Sequence, residues 1–549
     1  MSIQKSHIIF YLIIICTISL VFKLYIIDFS LPVYSDNLDY TLYAIAHTNG
    51  DFSQSSHRGI GWSLFVFPFF KLIDSDNFLV YSNIIRILSL SVATVSIVIV
   101  YLLGRKFFNE KYSLLVASLF AFEPHLNYNA GFGLSEPLYH LAIIGSFYFI
   151  LNKNSKYIIP SLILAGVAVW IRINGLSIFI IITIIYFITL RKSPKLFRNY
   201  SIGFVLFLIL VLPMLLQRYE QFGDPFYTEY NNIIFAGSYE KLLGENTKTI
   251  NPTARDYIEK NGLYSFFENF IFKGVYNIFW LLSRILFPYL FILIPFGMIF
   301  SFRAFDQDSR YIKSNWIFIL LSLASLIITM ASIPERRFLY YIFPFLIIFC
   351  TIPIQRVIEY GLSVFSFTEK QKNIFLIIII LIVIILSGYF TIVHFGKPDL
   401  VLENEKMEFA KFAVNNLYGK TLRDVGPAMD YIFYQIMTDS PGGFKTYKIN
   451  ADIKQYQTVI KQGDAFDTVF IYGESLQDII TDGKEHGLRY IISNEKGQFF
   501  YPFLDDIYHK EENYPYLIKV FDANEYGFNK LKIKVFEIDY NKFDKFINS

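Results

Sequence analysis

Ionised side chains beside long apolar runs are the residues of this chain best placed for chemistry, because holding a charge at membrane depth is costly. The stretch Tyr34-Ser35-Asp36-Asn37-Leu38-Asp39-Tyr40 follows the first apolar run, and Asp36, Tyr40 and Ala44 fall at i, i+4 and i+8, on one face of a helix. His57 and Arg58 precede Gly59-Ile60-Gly61-Trp62, and Glu123-Pro124-His125 and Ser135-Glu136-Pro137 flank another short loop. Arg172 and Asn174 sit in a very short loop, and Glu335-Arg336-Arg337 stands just before Tyr340 and Tyr341. Guanidinium groups offer permanent charge and paired donors, which suits a phosphate. Arg172, Arg336 and Arg337 therefore read as a shared anion site rather than as three anchors snorkelling to headgroups. Taken alone, Asp36 suits a helix cap or a solvated loop as well as a catalyst, and Asp39 reads as its neighbour. Glu123, His125 and Glu136 could contact a metal, acceptor hydroxyls or one another. Their spacing carries no metal signature, so the identity of any metal is unknown.

The elements that must position these groups are membrane spans. Apolar runs fall at 8–27, 81–103, 112–123, 137–151, 158–171, 176–190, 201–217, 278–301, 315–331, 338–355 and 373–393. Several reach the roughly 17–25 residues that cross hydrocarbon. The runs 112–123, 137–151 and 158–171 are short and need neighbours or tilt to do so. The run 8–27 is too long for a signal-peptide core and carries Lys23, so it reads as an anchor. Residues 59–73, with Trp62, Pro68 and Lys71, read as an interfacial or re-entrant helix. The count is about eleven transmembrane helices. With the N-terminus cytoplasmic, loops 104–111, 152–157, 191–200, 302–314 and 356–372 hold 15 Lys and Arg. The short opposite loops 124–136, 172–175 and 332–337 hold 3. This is the positive-inside pattern, and it places loops 28–80 and 218–277 and the C-terminal part outside.

Charge is unevenly spread. Residues 397–549 hold 43 charged side chains and the first 396 hold 52. A single soluble globule is excluded, as is a disordered chain. The expected fold is an α-helical polytopic membrane protein, residues 1–396, followed by an extracytoplasmic α/β domain, 397–549. In that domain Thr468 to Ile471 and Arg489 to Ile492 read as buried strands, and Lys532 to Ile538 as a half-exposed one. It has no Gly-rich phosphate loop, nucleophile elbow or His cluster, so it reads as a docking or lid domain. Cys16 and Cys350 both lie in apolar runs, which leaves no disulfide framework. No basic face with interleaved aromatics suggests nucleic acid.

The order of motifs resembles the GT-C membrane glycosyltransferases, and among them the protein O-mannosyltransferase/aminoarabinose-transferase-like group. The resemblance covers residues 8–393. It rests on Asp36-x-x-x-Tyr40-x-x-x-Ala44 after the first span and on Arg58-Gly59-Ile60-Gly61-Trp62 at the interfacial helix. Leu134-Ser135-Glu136-Pro137-Leu138, Arg172-Ile173-Asn174-Gly175-Leu176, Phe222-Gly223-Asp224-Pro225-Phe226 and Arg336-Arg337-Phe338-Leu339 with Pro344 complete it. The first motif has Asp36-Asn37 where the group often has an Asp-Glu pair. No Trp-Trp-Asp-Tyr-Gly stretch of the oligosaccharyltransferases is present, which argues against transfer of a whole glycan to asparagine.

The resemblance implies a sugar donor on a polyprenyl (dolichyl-type) phosphate and inversion at the anomeric carbon, at a site open to membrane lipid. Asp36 is then the general base that takes the proton of an acceptor hydroxyl on protein, lipid or glycan. Arg58, Arg172, Arg336 and Arg337 would bind the donor phosphate and stabilise it as it leaves. Asp39, Tyr40, His57, Glu123, His125 and Glu136 are candidates for acceptor or metal contacts. No cofactor is required, and a divalent cation through Asp36, Glu123 or Glu136 stays open. Tyr227-Thr228-Glu229-Tyr230-Asn231 is a candidate acceptor surface. The competing reading is a polytopic transporter or lipid flippase with a soluble outer domain, but such proteins place polar groups at mid-membrane and often repeat internally. The enzyme reading requires Asp36 and the arginines to converge in one pocket.

Overall fold

A computed structural model describes the chain except residues 1–4, 57, 229–233, 237–243, 246–252, 287–289, 304–307, 424–425, 440–442, 451–464, 496–500 and 549. His57 and Glu229 to Asn231 thus lie outside the described residues. The helices that matter here are α1 (Lys5–Ile26), α2 (Asp36–Thr48), α3 (Gly61–Lys71), α4 (Phe78–Phe107), α5 (Glu110–Ala121), α6 (Pro124–Ala130), α7 (Glu136–Ile150) and α8 (Ile158–Ile171). They continue as α9 (Gly175–Thr189), α10 (Leu196–Phe222), α11 (Lys273–Ile285), α12 (Leu290–Ser301), α13 (Ser309–Ser332), α14 (Phe343–Arg356) and α15 (Glu369–Phe390). Among the described residues each of the eleven apolar runs contributes to a helix, with 278–301 contributing to both α11 and α12. By length and apolarity, six helices among the described residues can each cross a bilayer, or seven if Ala254–Ile285 and Leu290–Ser301 form one bent span. The expected count of eleven is not reached by that measure. The reason is length: α5, α7, α8 and α9 have 12, 15, 14 and 15 residues. At about 1.5 Å per residue they fall short of a hydrocarbon layer about 30 Å thick.

Packing separates the two kinds of helix. From Tyr112 to Ala121 every α5 residue is buried, so this short helix lives inside the bundle. Ile377, Ile378, Leu381, Ile382 and Ile385 of α15 are exposed, as a helix facing lipid tails would be. The chain is a multi-pass membrane protein.

One end of the bundle is covered by α2 and α3, the interfacial helix expected at 59–73. A Cβ on Gly59 would lie 2.2 Å from the carbonyl oxygen of Ile171, and one on Gly61 2.7 Å from the Trp170 carbonyl carbon. Only glycine lets the start of α3 press against the end of α8, which brings Arg58 and Arg172 to the lining of one cavity. Trp62 fixes the same helix by donating Nε1–H to the Gly133 carbonyl at 2.9 Å.

The C-terminal part holds a five-stranded sheet in the order β2-β1-β3-β5-β4. Its strands are β1 (Gly419–Leu422), β2 (Phe466–Val469), β3 (Leu488–Asn494), β4 (Leu517–Asp522) and β5 (Ile533–Ile538). β1 pairs in parallel with β2 and β3, whereas β5 pairs antiparallel with β3, Ile492 opposite Val535, and with β4. Alternation along the strands gives the sheet two apolar faces. Ile491 and Phe536 pack on Ile479, Leu504 and Phe543. Tyr490, Ile492 and Val535 belong to a core that also holds Phe409, Tyr431, Leu38, Leu42, Trp62 and Ile85. The sheet therefore shares a core with the helices carrying the first motif.

Candidate active site

Asp36 opens α2, and two guanidinium groups hold its carboxylate. Arg58 Nη2 lies 2.7 Å from Oδ1 and Arg337 Nη1 lies 2.8 Å from Oδ2. Arg58 also donates from Nε to Asp39 at 2.9 Å, and its guanidinium sits 5.5 Å from the centre of the Tyr40 ring. Arg337 reaches Glu335 at 2.7 Å and Glu136 at 3.7 Å. Arg172 pairs with Glu136 at 2.6 Å. Ser135 joins the halves: its Oγ lies 3.0 Å from Tyr40 Oη and accepts from Arg172 Nε at 3.3 Å. Burial pushes the Asp36 carboxyl up, but Arg58 and then Arg337 outweigh it and bring the pKa down to about 2. This carboxylate is ionised under all ordinary conditions.

Two cavities meet at this network. One, of about 150 Å³, is lined by Asp36, Tyr40, Arg58, Arg172, Arg218 and Arg337 among others. The second, of about 310 Å³, is lined by Glu136, His140, Arg172, Asn174, Phe226 and Arg337 with further apolar and hydroxyl side chains. Arg172 and Arg337 line both, together with Ile173, Asn174, Thr329 and Phe338, so they belong to the wall between the chambers. Asp36, Arg58, Arg172 and Arg337 come together at one cavity.

The remaining candidates are placed differently. Arg336 is exposed, and it acts electrostatically on Tyr340. Glu123 caps α6 by accepting the Leu126 N–H at 2.7 Å, and its other oxygen lies 3.0 Å from His125 Nδ1. His125 packs on Phe390 and Phe395. Glu123 and His125 thus contact one another, one of the options the sequence left open. Glu136, 1% exposed, is the buried counter-ion of Arg172.

Sequence reasoning did not single out Arg218 as a site residue. It is 4% exposed, and Nη1 donates to the Gln54 side chain at 3.1 Å and to the Ser55 carbonyl at 3.2 Å. Nη2 donates to the Tyr227 carbonyl, and Nε is buried without a hydrogen-bond partner. Its close partners are thus neutral, unlike those of the other three arginines. The sequence signal was a lone Arg at the end of a span, which reads equally as a lipid anchor.

Among the described residues no group of three or more His, Cys, Asp or Glu converges to hold a metal ion. The chemistry of the donor set agrees: the carboxylates of Asp36 and Glu136 each touch a guanidinium, which repels a cation from the same oxygens. Asp36 and Glu136 thus face guanidinium groups.

No protein-family model matches the chain, and no curated protein matches it. Solved structures do. The archaeal oligosaccharyltransferase AglB from Archaeoglobus fulgidus, in complex with an inhibitory peptide and a dolichol-phosphate, is 13% identical with a TM-score of 0.56, covering 90% of this chain and 70% of that one. The same organism's oligosaccharyltransferase in complex with Zn and sulfate is 15% identical, TM-score 0.55, over 88% and 68%. ArnT from Cupriavidus metallidurans, bound to undecaprenyl phosphate, is 10% identical, TM-score 0.50, over 97% and 98%. At such identities the likeness is one of fold. The chain has the GT-C fold of these membrane glycosyltransferases.

Proposed function

We propose that this protein is a glycosyltransferase that moves a sugar from a polyprenyl phosphate to an acceptor hydroxyl, with inversion. Residues 1–396 would carry the chemistry and residues 397–549 would not, with the site and the C-terminal domain extracytoplasmic by the positive-inside pattern. One observation carries this reading: Asp36 shares a cavity with Arg58, Arg172, Arg218 and Arg337 at one end of an apolar helical bundle. The AglB and ArnT structures, which hold dolichol-phosphate and undecaprenyl phosphate respectively, share the fold and support the donor class.

In the proposed step the acceptor oxygen attacks the anomeric carbon, and the bond from that carbon to the phosphate oxygen breaks. The hydroxyl proton passes to Asp36, and the bonding pair leaves with the lipid phosphate. That phosphate gains negative charge as it departs, where fixed guanidinium groups stabilise it without reorganisation. Asp36 at a pKa of about 2 is a weak base, because proton affinity and catalytic strength rise together. Donor binding corrects this. A phosphate in the cavity competes for Arg58 and Arg337, and the carboxylate they release becomes more basic. Arg218, whose hydrogen-bond partners are neutral and whose Nε is unpaired, provides a first landing point. Glu136 keeps Arg172 aligned on the wall between the chambers.

The acceptor enters through the chamber of about 310 Å³. The test is donor-product binding. Dolichyl or undecaprenyl phosphate should raise the melting temperature of the purified wild type and do so less for Arg218→Met. Absence of any shift in the wild type contradicts the donor class.

A further inference from the structure

The segment between α1 and α2 is held in a way that an ordinary connection is not. Ser35, the residue before Asp36, has φ 53° and ψ −134°, a region that side chains with L chirality rarely adopt. Serine is a favoured helix cap, yet the Ser35 side chain makes no capping bond. Such a conformation persists only where its surroundings over-determine it. They do so from two directions. On one side Arg86 of α4 donates to the carbonyls of Leu31 at 2.6 Å and Pro32 at 3.3 Å, and Ser82 accepts the Val33 N–H at 3.3 Å. On the other, the Tyr34 ring stands edge-on to Tyr431, with ring centres 5.0 Å apart.

Tyr431 belongs to the C-terminal part and is itself anchored. It is fully buried, and its hydroxyl donates to Glu403 at 2.7 Å. Lys406 completes the anchor by binding Glu403 at 2.7 Å and Asp430 at 3.2 Å. The backbone between Arg86 and Tyr431 is therefore clamped at both ends, and Ser35 takes up the misfit. Asp36 and the first turn of α2 follow directly, with the Ser35 carbonyl accepting the N–H groups of Leu38 at 3.0 Å and Asp39 at 3.3 Å.

We infer that Tyr431 is a positioning residue: by bracing Tyr34 it keeps Ser35 in its strained conformation and so aims the Asp36 carboxylate into the cavity with Arg58 and Arg337. This rests on the proposed role of Asp36, and it assigns the C-terminal part a task in turnover although it supplies no reacting group. Without the brace, Ser35 relaxes to an ordinary backbone conformation and Asp36 turns out of line.

The test uses the full-length protein. Tyr34→Leu should lower kcat about tenfold, the population lost when a residue must adopt a sparsely populated backbone region unaided, with little change in donor KM. Tyr431→Leu should do the same, and the double variant should lose no more than either single one, since both act through one contact. Adding Ser35→Gly to Tyr34→Leu should restore most of the lost kcat, because glycine adopts positive φ freely. A Tyr34→Leu protein with unimpaired kcat, or a loss that Ser35→Gly fails to recover, overturns the inference. Hydrogen exchange of the peptide covering residues 36–41 gives a readout independent of turnover. It should quicken in Tyr34→Leu and slow again with Ser35→Gly. If it does so while Asp36→Asn still turns over, the brace stands and the assignment of the base fails.

Discussion

Arg337→Gln tests the network at its most connected point. The substitution removes the 2.8 Å pair with Asp36, the 2.7 Å pair with Glu335 and the 3.7 Å approach to Glu136. Two effects follow. The donor phosphate loses one charge-assisted partner, worth about 1.5–3 kcal/mol, which is roughly ten- to a hundredfold in affinity. Asp36 loses one of the cations that depress its pKa, leaving Arg58 and Arg172, so its proton affinity rises toward that of an ordinary carboxylate. The assay is initial rate against polyprenyl-phosphate-linked sugar at fixed acceptor. Donor KM should rise by that factor, and Arg337→Lys should recover only part of it, because an ammonium cannot grip two carboxylates with a planar fork. Arg336→Ala, at the exposed neighbouring position, should change donor KM far less. A donor KM in Arg337→Gln equal to that of the wild type refutes the argument that this group meets the phosphate.

Two further expectations follow from the same geometry. Asp36 in the free protein is held at a pKa of about 2, so it stays ionised from neutral pH down to that value and gives kcat/KM no acid limb in the mildly acidic range. On the proposed mechanism the donor-bound protein would surrender guanidinium bonds to the phosphate, so the acid limb of kcat should lie at higher pH. Profiles of kcat and kcat/KM that coincide contradict the exchange of partners. Gly59→Ala places a methyl group 2.2 Å from the Ile171 carbonyl oxygen and must push α3 off α8. It should cost about 1–3 kcal/mol of stability, as overpacking does, seen as a lower melting temperature, and it should separate Arg58 from Arg172 with loss of transfer.

The helices were legible because a long apolar run has one stable solution in lipid, so each run from 8–27 to 373–393 contributes to a helix among the described residues. How many of them cross was less legible, since α5 is apolar enough to be a span yet has 12 residues, all buried from Tyr112 to Ala121. Asp36 stood out by following the first span on a helical face. Its pairing with Arg337, 301 residues away, was readable only as a shared side of the membrane. Arg336 and Arg337 are adjacent and chemically identical, and only the backbone decides that one enters the cavity while the other meets solvent. Arg218 was missed because an arginine at a span's end is more commonly an anchor. Glu136 read as a possible acceptor or metal contact because its partner, Arg172, lies 36 positions further along the chain. The strain at Ser35 left no trace at all, because a serine before a helix is the most ordinary of caps.

The account depends on Asp36 accepting the acceptor's proton beside cations that hold the donor phosphate. The most direct measurement is release of polyprenyl phosphate from a labelled polyprenyl-phosphate-linked sugar by purified wild type and by Asp36→Asn, each checked for binding of the donor. The wild type should transfer the sugar, while the variant should bind donor but fall in turnover by roughly 10²–10⁴-fold, the usual contribution of a positioned base. An Asp36→Asn protein that transfers at the wild-type rate contradicts it.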